Sequence, residues 1–320
     1  MTATPLHARW RTRFRGLMRQ SRMIYTPLAL AFLAYLFWRD HERLVANLSE
    51  VAPGLVGVIF LLVALGHLCI GLSSHLLLRS LDHKPGLGLV LSIHINRLPA
   101  RYLPGGIWQT VTRALDFSAK GLPKATILRL VLLEMGISVC LAAVIGGAVL
   151  LWMSGNGTAP VFGLVALIGA VGLIVGPRLT GMLGKDVTSM SGATYLASVG
   201  SFSLVWVLYG SAFALFAAQM VPGIDWARAI GIYLISWLAG FLAFFAPQGI
   251  GVFEVTSSYL LTGTLASGLV TSMFAFRALT IVADLCVWLI FRVWRWLTCT
   301  RSGDTDQPQP SKGNQCNEKI

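Results

Sequence analysis

The stretch Ala246-Pro247-Gln248-Gly249-Ile250-Gly251 interrupts an otherwise apolar segment, 227–262, and its reading decides the fold. Proline removes a backbone donor and crowds the preceding turn, while glycines admit a sharp change of direction. The segment therefore reads as two short helices joined at a break. A second apolar segment, 86–118, is interrupted in the same way by Leu103-Pro104-Gly105-Gly106. Pro104 and Pro247 are 143 residues apart, and the same offset lays the apolar run 51–77 on 194–220 and the run 125–152 on 268–295. Self-similarity at one fixed offset is the mark of an internal repeat. From Pro104 to Gly136 only four aligned residues are identical (Pro104, Gly106, Ile107 and Leu122, with Pro247, Gly249, Ile250 and Leu265), so the repeat is one of spacing and hydropathy.

Outside the broken segments, apolar runs at 51–77, 125–152, 160–176, 195–221 and 269–297 are each long enough to cross a hydrocarbon core of about 30 Å. The basic start, His7 to Arg22, precedes an apolar stretch at 24–38 that ends Leu36-Phe37-Trp38-Arg39-Asp40, which reads as an uncleaved signal anchor. The expected fold class is an all-α integral membrane protein with about six full spans plus two broken, re-entrant helical hairpins. If each hairpin enters and leaves on one side, an odd number of full spans separates the two units, so the repeat is inverted. The expected organisation is a basic cytoplasmic N-terminus (1–23), the signal-anchor span and an external loop (24–50), repeat unit 1 (51–152, hairpin 86–118), a linking span (153–194), repeat unit 2 (195–297, hairpin 227–262) and a disordered cytoplasmic tail (298–320).

Composition agrees: 55% of the 320 residues are hydrophobic and 12% charged, and no piece left between the spans could bury a separate soluble core. The formal charge of +12 is spread in short blocks beside apolar runs, which signals membrane orientation rather than nucleic-acid binding. Arg79, Lys84, Lys120, Lys124, Arg178, Lys185, Arg292, Arg295 and Arg301 fall on the side of the Arg-rich start. Arg39, Arg43 and Arg228 fall on the other. Both termini are then cytoplasmic in a multi-pass topology. The five cysteines lack CxxC spacing and the six histidines are dispersed, which predicts inert thiols, structural or solvated imidazoles, and neither metal nor cofactor. No phosphate loop or nucleophile elbow is present, so no enzymatic activity is expected.

Broken helices at membrane depth must turn their free backbone groups toward protein or a water-filled cavity, the arrangement expected of transporters. The ionisable residues near the breaks are Arg101, Arg113, Glu134, Glu254, Arg277 and Asp284. Glu134 and Arg277 occupy equivalent repeat positions with opposite sign, which suggests that they pair with each other or that Glu134 pairs with Arg101. Glu254 follows Gly249-Ile250-Gly251 and can cap the helix that starts there. A cavity-facing Arg277 predicts an Arg277→Ala variant that folds but does not function.

The run Pro247-Gln248-Gly249-Ile250-Gly251-Val252-Phe253-Glu254, with Arg277 on the next span, resembles a signature of the lysylphosphatidylglycerol synthase transmembrane-region family. Arg101-Tyr102-Leu103-Pro104-Gly105-Gly106-Ile107, then Arg113, Gly121 and Glu134, resembles that family's other signature, with departures at Trp108 and Met135. The resemblance covers about 51–297. It implies a bacterial inner-membrane lipid translocase, without the soluble lipid-synthesising domain, that moves an anionic or modified lipid between leaflets. Its implied substrate-binding residues are Arg101, Pro104, Gly105, Gly106, Arg113, Glu134, Pro247, Gly249, Gly251, Glu254 and Arg277. The alternative is a non-transporting membrane partner of a glycosyltransferase or lipid-modifying enzyme.

Overall fold

The computed structural model describes residues 42, 52–103, 107–153, 157–182, 190–243, 247–265 and 267–301. The expected signal anchor, Lys185, the polar tail and the tip residues Pro104, Gly105 and Gly106 lie outside the described residues. The described chain is all-helical: α1 (Pro53–Ser80), α2 (Leu87–Asn96), α3 (Trp108–Ala119), α4 (Lys124–Met153), α5 (Ala159–Gly181), α6 (Gly192–Met220), α7 (Trp226–Leu242), α8 (Val252–Thr262) and α9 (Ser267–Arg301). Among the described residues five helices, α1, α4, α5, α6 and α9, are long and apolar enough to cross a membrane. They coincide with the five apolar runs beyond residue 50. The protein is a multi-span helical membrane protein.

Both interrupted segments are helix–break–helix units. The first breaks earlier than expected: α2 stops at Asn96, and a 3-10 turn, Leu98–Tyr102, follows with Pro99 in its first turn. Proline fits the first turn of a helix, where its missing N–H has no intrahelical acceptor to serve. Pro99 therefore shapes the end of α2. In the second unit α7 ends at Leu242, and a short 3-10 turn, Pro247–Gly249, leads into α8. Gln248 and Gly249 both take the left-handed conformation, at φ 56° and 65°. Gly249 also packs so closely on Gly240 that a Cβ there would lie 2.5 Å from the Gly240 Cα. Only glycine meets both conditions. The 143-residue offset carries α3 onto 251–262, against Val252–Thr262 for α8, and carries the start of α4 onto the start of α9.

Helices pack through small residues, since lipid supplies no hydrophobic drive between them and close backbone approach gains dispersion contacts. Along α1 and α6, Ser198 Oγ donates to the Ser73 carbonyl (3.1 Å) and Ser201 Oγ to the Cys69 carbonyl (3.0 Å). Between α4 and α5, a Cβ on Gly169 would lie 2.6 Å from the Cys140 carbonyl oxygen. Helix α5 is otherwise an outer helix, with little of its apolar length buried. Pro177 inside α5 cannot donate to the Leu173 carbonyl one turn earlier, and Tyr195 Oη of α6 donates to it instead, at 2.9 Å. Tyr195→Phe is expected to destabilise the fold by about 1–3 kcal/mol by leaving that carbonyl unpaired. Adding Pro177→Ala, which returns an N–H to the helix, should recover the loss. Thermal unfolding of the single and double variants in detergent measures both.

Candidate functional site

A cavity of about 530 Å³ lies between the two broken segments. Its lining combines polar residues, among them His94, Arg101, Gln109, Arg113 and Glu134, with an aromatic wall of Trp206, Tyr233, Trp237, Phe253 and Phe276. The Trp206 and Trp237 rings meet edge to face at 4.5 Å, and Phe213 braces Phe276 from behind at 5.2 Å. Such edge contacts hold large apolar surfaces in fixed orientation. A second, more open groove, bounded by Arg129, Leu173, Pro177, Arg178 and Tyr195, lies on the α5 side of the bundle, away from both breaks.

The two breaks are joined directly. Gln248 Nε2, from the second, donates to the Arg101 carbonyl of the first at 2.7 Å. The Gln248 carbonyl in turn accepts from Arg277 Nη2 of α9. A backbone freed from helical bonding in the membrane interior has to find such partners. The side chains of Gln248 and Arg277 supply them here.

Each unit then ties its second half-helix to the following long helix by one arginine–glutamate pair. In the first unit Arg113 of α3 grips Glu134 of α4 through two parallel bonds of 2.9 Å, and also donates to Ser74 Oγ at 3.0 Å. In the second unit Glu254 of α8 accepts from Arg277 of α9 at 3.0 Å. Glu254 Oε2 also accepts from the Gly251 backbone N–H at 2.7 Å, capping α8 as its position indicated. The expected partnership of Glu134 with Arg277 or Arg101 is therefore corrected. The opposite signs at equivalent positions arise because the arginine stands on the half-helix in one unit and on the long helix in the other. A local pair 21 or 23 residues apart is reached by the half-helix folding back on its neighbour.

Arg277 stands 5.5 Å from the Phe253 ring and lines the cavity with 23% of its side chain exposed, while its partner Glu254 is wholly buried. Removing Arg277 thus leaves a buried carboxylate without its cation, a loss of about 3–5 kcal/mol. Arg277→Ala is now expected to lose folded protein. Glu254→Gln alongside it should restore yield, because the amide oxygen still accepts from Gly251 without carrying charge. Monodisperse protein recovered from the single and double variants decides the point; recovery of Arg277→Ala at the wild-type level would contradict it.

The centre of the cavity's polar side is Asp284 of α9, one of the ionisable residues near the breaks but not among the residues expected to bind substrate. It accepts from Tyr102 Oη (2.6 Å), Arg101 Nη1 (3.0 Å) and His67 Nε2 (2.8 Å), while His67 Nδ1 lies 3.1 Å from His94 Nε2. Arg101 Nε donates to Gln109 Oε1 at 3.1 Å. Of the three arginines lining the cavity, Arg101 has the most exposed side chain, 29% against 23% for Arg277 and 10% for Arg113. His67 and His94, which dispersal in sequence marked as ordinary, are buried members of this cluster. The usable signal was their position: both stand in strongly apolar helices, where an imidazole needs a polar partner.

Of the expected binding residues, Arg101, Arg113, Glu134, Gly249 and Arg277 line the cavity. Glu254 pairs with Arg277, Gly251 is the N-cap of α8, and Pro247 opens the second 3-10 turn. Among the described residues no group of three or more His, Cys, Asp or Glu side chains is placed to hold a metal ion. The chain matches no protein-family model, and no curated protein matches it.

Proposed function

We propose that this protein is a lipid translocase that receives an anionic head group in the cavity between its two breaks. The observation that carries the reading is the pairing, in one 530 Å³ space, of cavity-lining arginines with an apolar aromatic wall, at the place where two broken helices meet. A phosphate needs the first, acyl chains the second. Arg101 is the residue best placed to take the phosphate, being the most exposed of the three, with its Nη1 and Nε oriented by Asp284 and Gln109. Arg113 and Arg277 add positive potential while their glutamates hold them in place. A guanidinium matches a phosphate through parallel donors, which a lysine cannot supply.

The element bounds repeating at one offset support an inverted repeat, with α1–α4 and α6–α9 as the two units and α5 between them. Units of that kind rock against each other around a fixed central site, which is how alternating access arises. The resemblance to the lysylphosphatidylglycerol synthase transmembrane region supports the same reading and a bacterial inner-membrane location. Arg79, Lys84, Lys120, Lys124 and Arg178 stand at or near α-helix ends that alternate along the chain, which favours cytoplasmic termini.

Purified protein in liposomes, with labelled phosphatidylglycerol, phosphatidylethanolamine and an aminoacylated phosphatidylglycerol, tests the function. Movement of at least one anionic or modified lipid between leaflets above empty liposomes is expected, with Arg101→Ala reducing it at least tenfold. Rates equal to those of empty liposomes for all three lipids would overturn the reading.

A further inference from the structure

The histidines beside Asp284 form a chain whose proton positions follow from the contacts. Asp284, held by Arg101 and Tyr102 as well, acts as an acceptor, so His67 Nε2 donates to it. In neutral His67 the other ring nitrogen, Nδ1, then carries no proton and accepts from His94 Nε2. His94 Nδ1 is consequently a bare acceptor. It is also, among the described residues, an atom left without a protein partner, on a residue that is 1% exposed and lines the cavity. A buried polar atom without a partner is uncommon and calls for a functional account.

We infer that this chain takes up one proton from the cavity and that the proton competes with Arg101 for Asp284, so that an anionic head group and a proton bind together. This rests on the reading of the cavity as a head-group site. The proton adds to His94 Nδ1; the Nε2–H of His94 passes to His67 Nδ1; His94 is neutral again and His67 is an imidazolium against the Asp284 carboxylate. One proton is gained and no electrons move. The surrounding charges direct it to His67. Around His94 stand Arg101 of the first break, Arg113 of α3 and His67 of α1, whereas His67 has Asp284 of α9 at 2.8 Å, with the Tyr209 ring of α6 6.2 Å away. Arg113 is already neutralised by Glu134 of α4. Tyr102 and Arg101 share the remaining Asp284 oxygen.

Once His67 is charged, Arg101 faces a neutral imidazolium–carboxylate pair in place of a lone carboxylate, and its guanidinium is released toward a phosphate. Linkage makes the effect reciprocal: a phosphate that draws Arg101 from Asp284 raises the affinity of the chain for its proton by the same factor. Such coupling would let a proton gradient drive lipid in one direction.

Calorimetric titration of the purified protein with dihexanoyl phosphatidylglycerol, in buffers of different ionisation enthalpy at about pH 7, reads the proton count directly. Uptake of a sizeable fraction of one proton per lipid is expected, reduced severalfold in His67→Gln. Binding without uptake overturns the proton chain and leaves the head-group site standing. Absence of binding removes the head-group reading, and nitrogen NMR of the wild-type histidine rings then judges the chain alone. His67 and His94 sharing one proton as the pH is lowered, and losing that coupling in Asp284→Asn, supports it; rings that stay neutral throughout overturn it.

Discussion

Arg113→Ala is expected to cost about 3–5 kcal/mol of stability, enough to remove most folded protein. The Arg113 and Glu134 side chains are 10% and 11% exposed and meet through two bonds, with Ser74 taking a further arginine donor. Desolvating both ions is costly, and only the paired geometry offsets it. Deleting one partner keeps the cost and removes the compensation. The loss should be largely recovered in Arg113→Ala with Glu134→Ala, where neither charge remains. Combining Glu134→Ala with Arg277→Ala should recover nothing, since those residues belong to different pairs. Unfolding temperatures in detergent for the three variants separate the pairings; rescue in the Glu134 and Arg277 combination would restore the partnership first expected from the sequence.

The second large effect is expected at Asp284. Replacing it by asparagine keeps shape and most hydrogen-bonding capacity but removes the charge that Arg101 faces in the buried centre of the protein. A charge-assisted bond is worth about 1.5–3 kcal/mol, so without it nothing comparable draws Arg101 back from a bound phosphate, and release slows by roughly tenfold to a hundredfold. Asp284→Asn should therefore be recovered folded, with Tyr102 and His67 still hydrogen-bonded, yet move lipid at least tenfold more slowly. Asp284→Ala should additionally lose stability, because Tyr102, Arg101 and His67 all lose their acceptor. Lipid movement by Asp284→Asn at the wild-type rate would remove Asp284 from the mechanism.

Much of the architecture is legible in the chain. The long helices follow from apolar runs of sufficient length, because lipid leaves the backbone no partner but itself. The breaks follow from proline and glycine, whose effects act within a turn or two. Glu254 as a helix cap is local in the same sense: it reaches a backbone N–H three residues away. The early end of α2 at Asn96 was less legible, because Pro99 lay close to the stronger signal Leu103-Pro104-Gly105-Gly106 and was absorbed into it.

The site divides along the same line. From sequence alone came the two breaks, the candidate arginines and glutamates, and the opposite signs at equivalent repeat positions. These depend on residue type and spacing, which the chain carries directly. Which arginine grips which glutamate, the meeting of Gln248 with Arg101, and the gathering of His67, His94, Arg101 and Tyr102 around Asp284 were decided by tertiary structure. Asp284 and His67 are 217 residues apart, and the bond between them exists only because α9 packs on α1. Hydrogen bonds and ion pairs act over about 3 Å, so their partners are set by how helices are arranged in space, a property that no local pattern encodes.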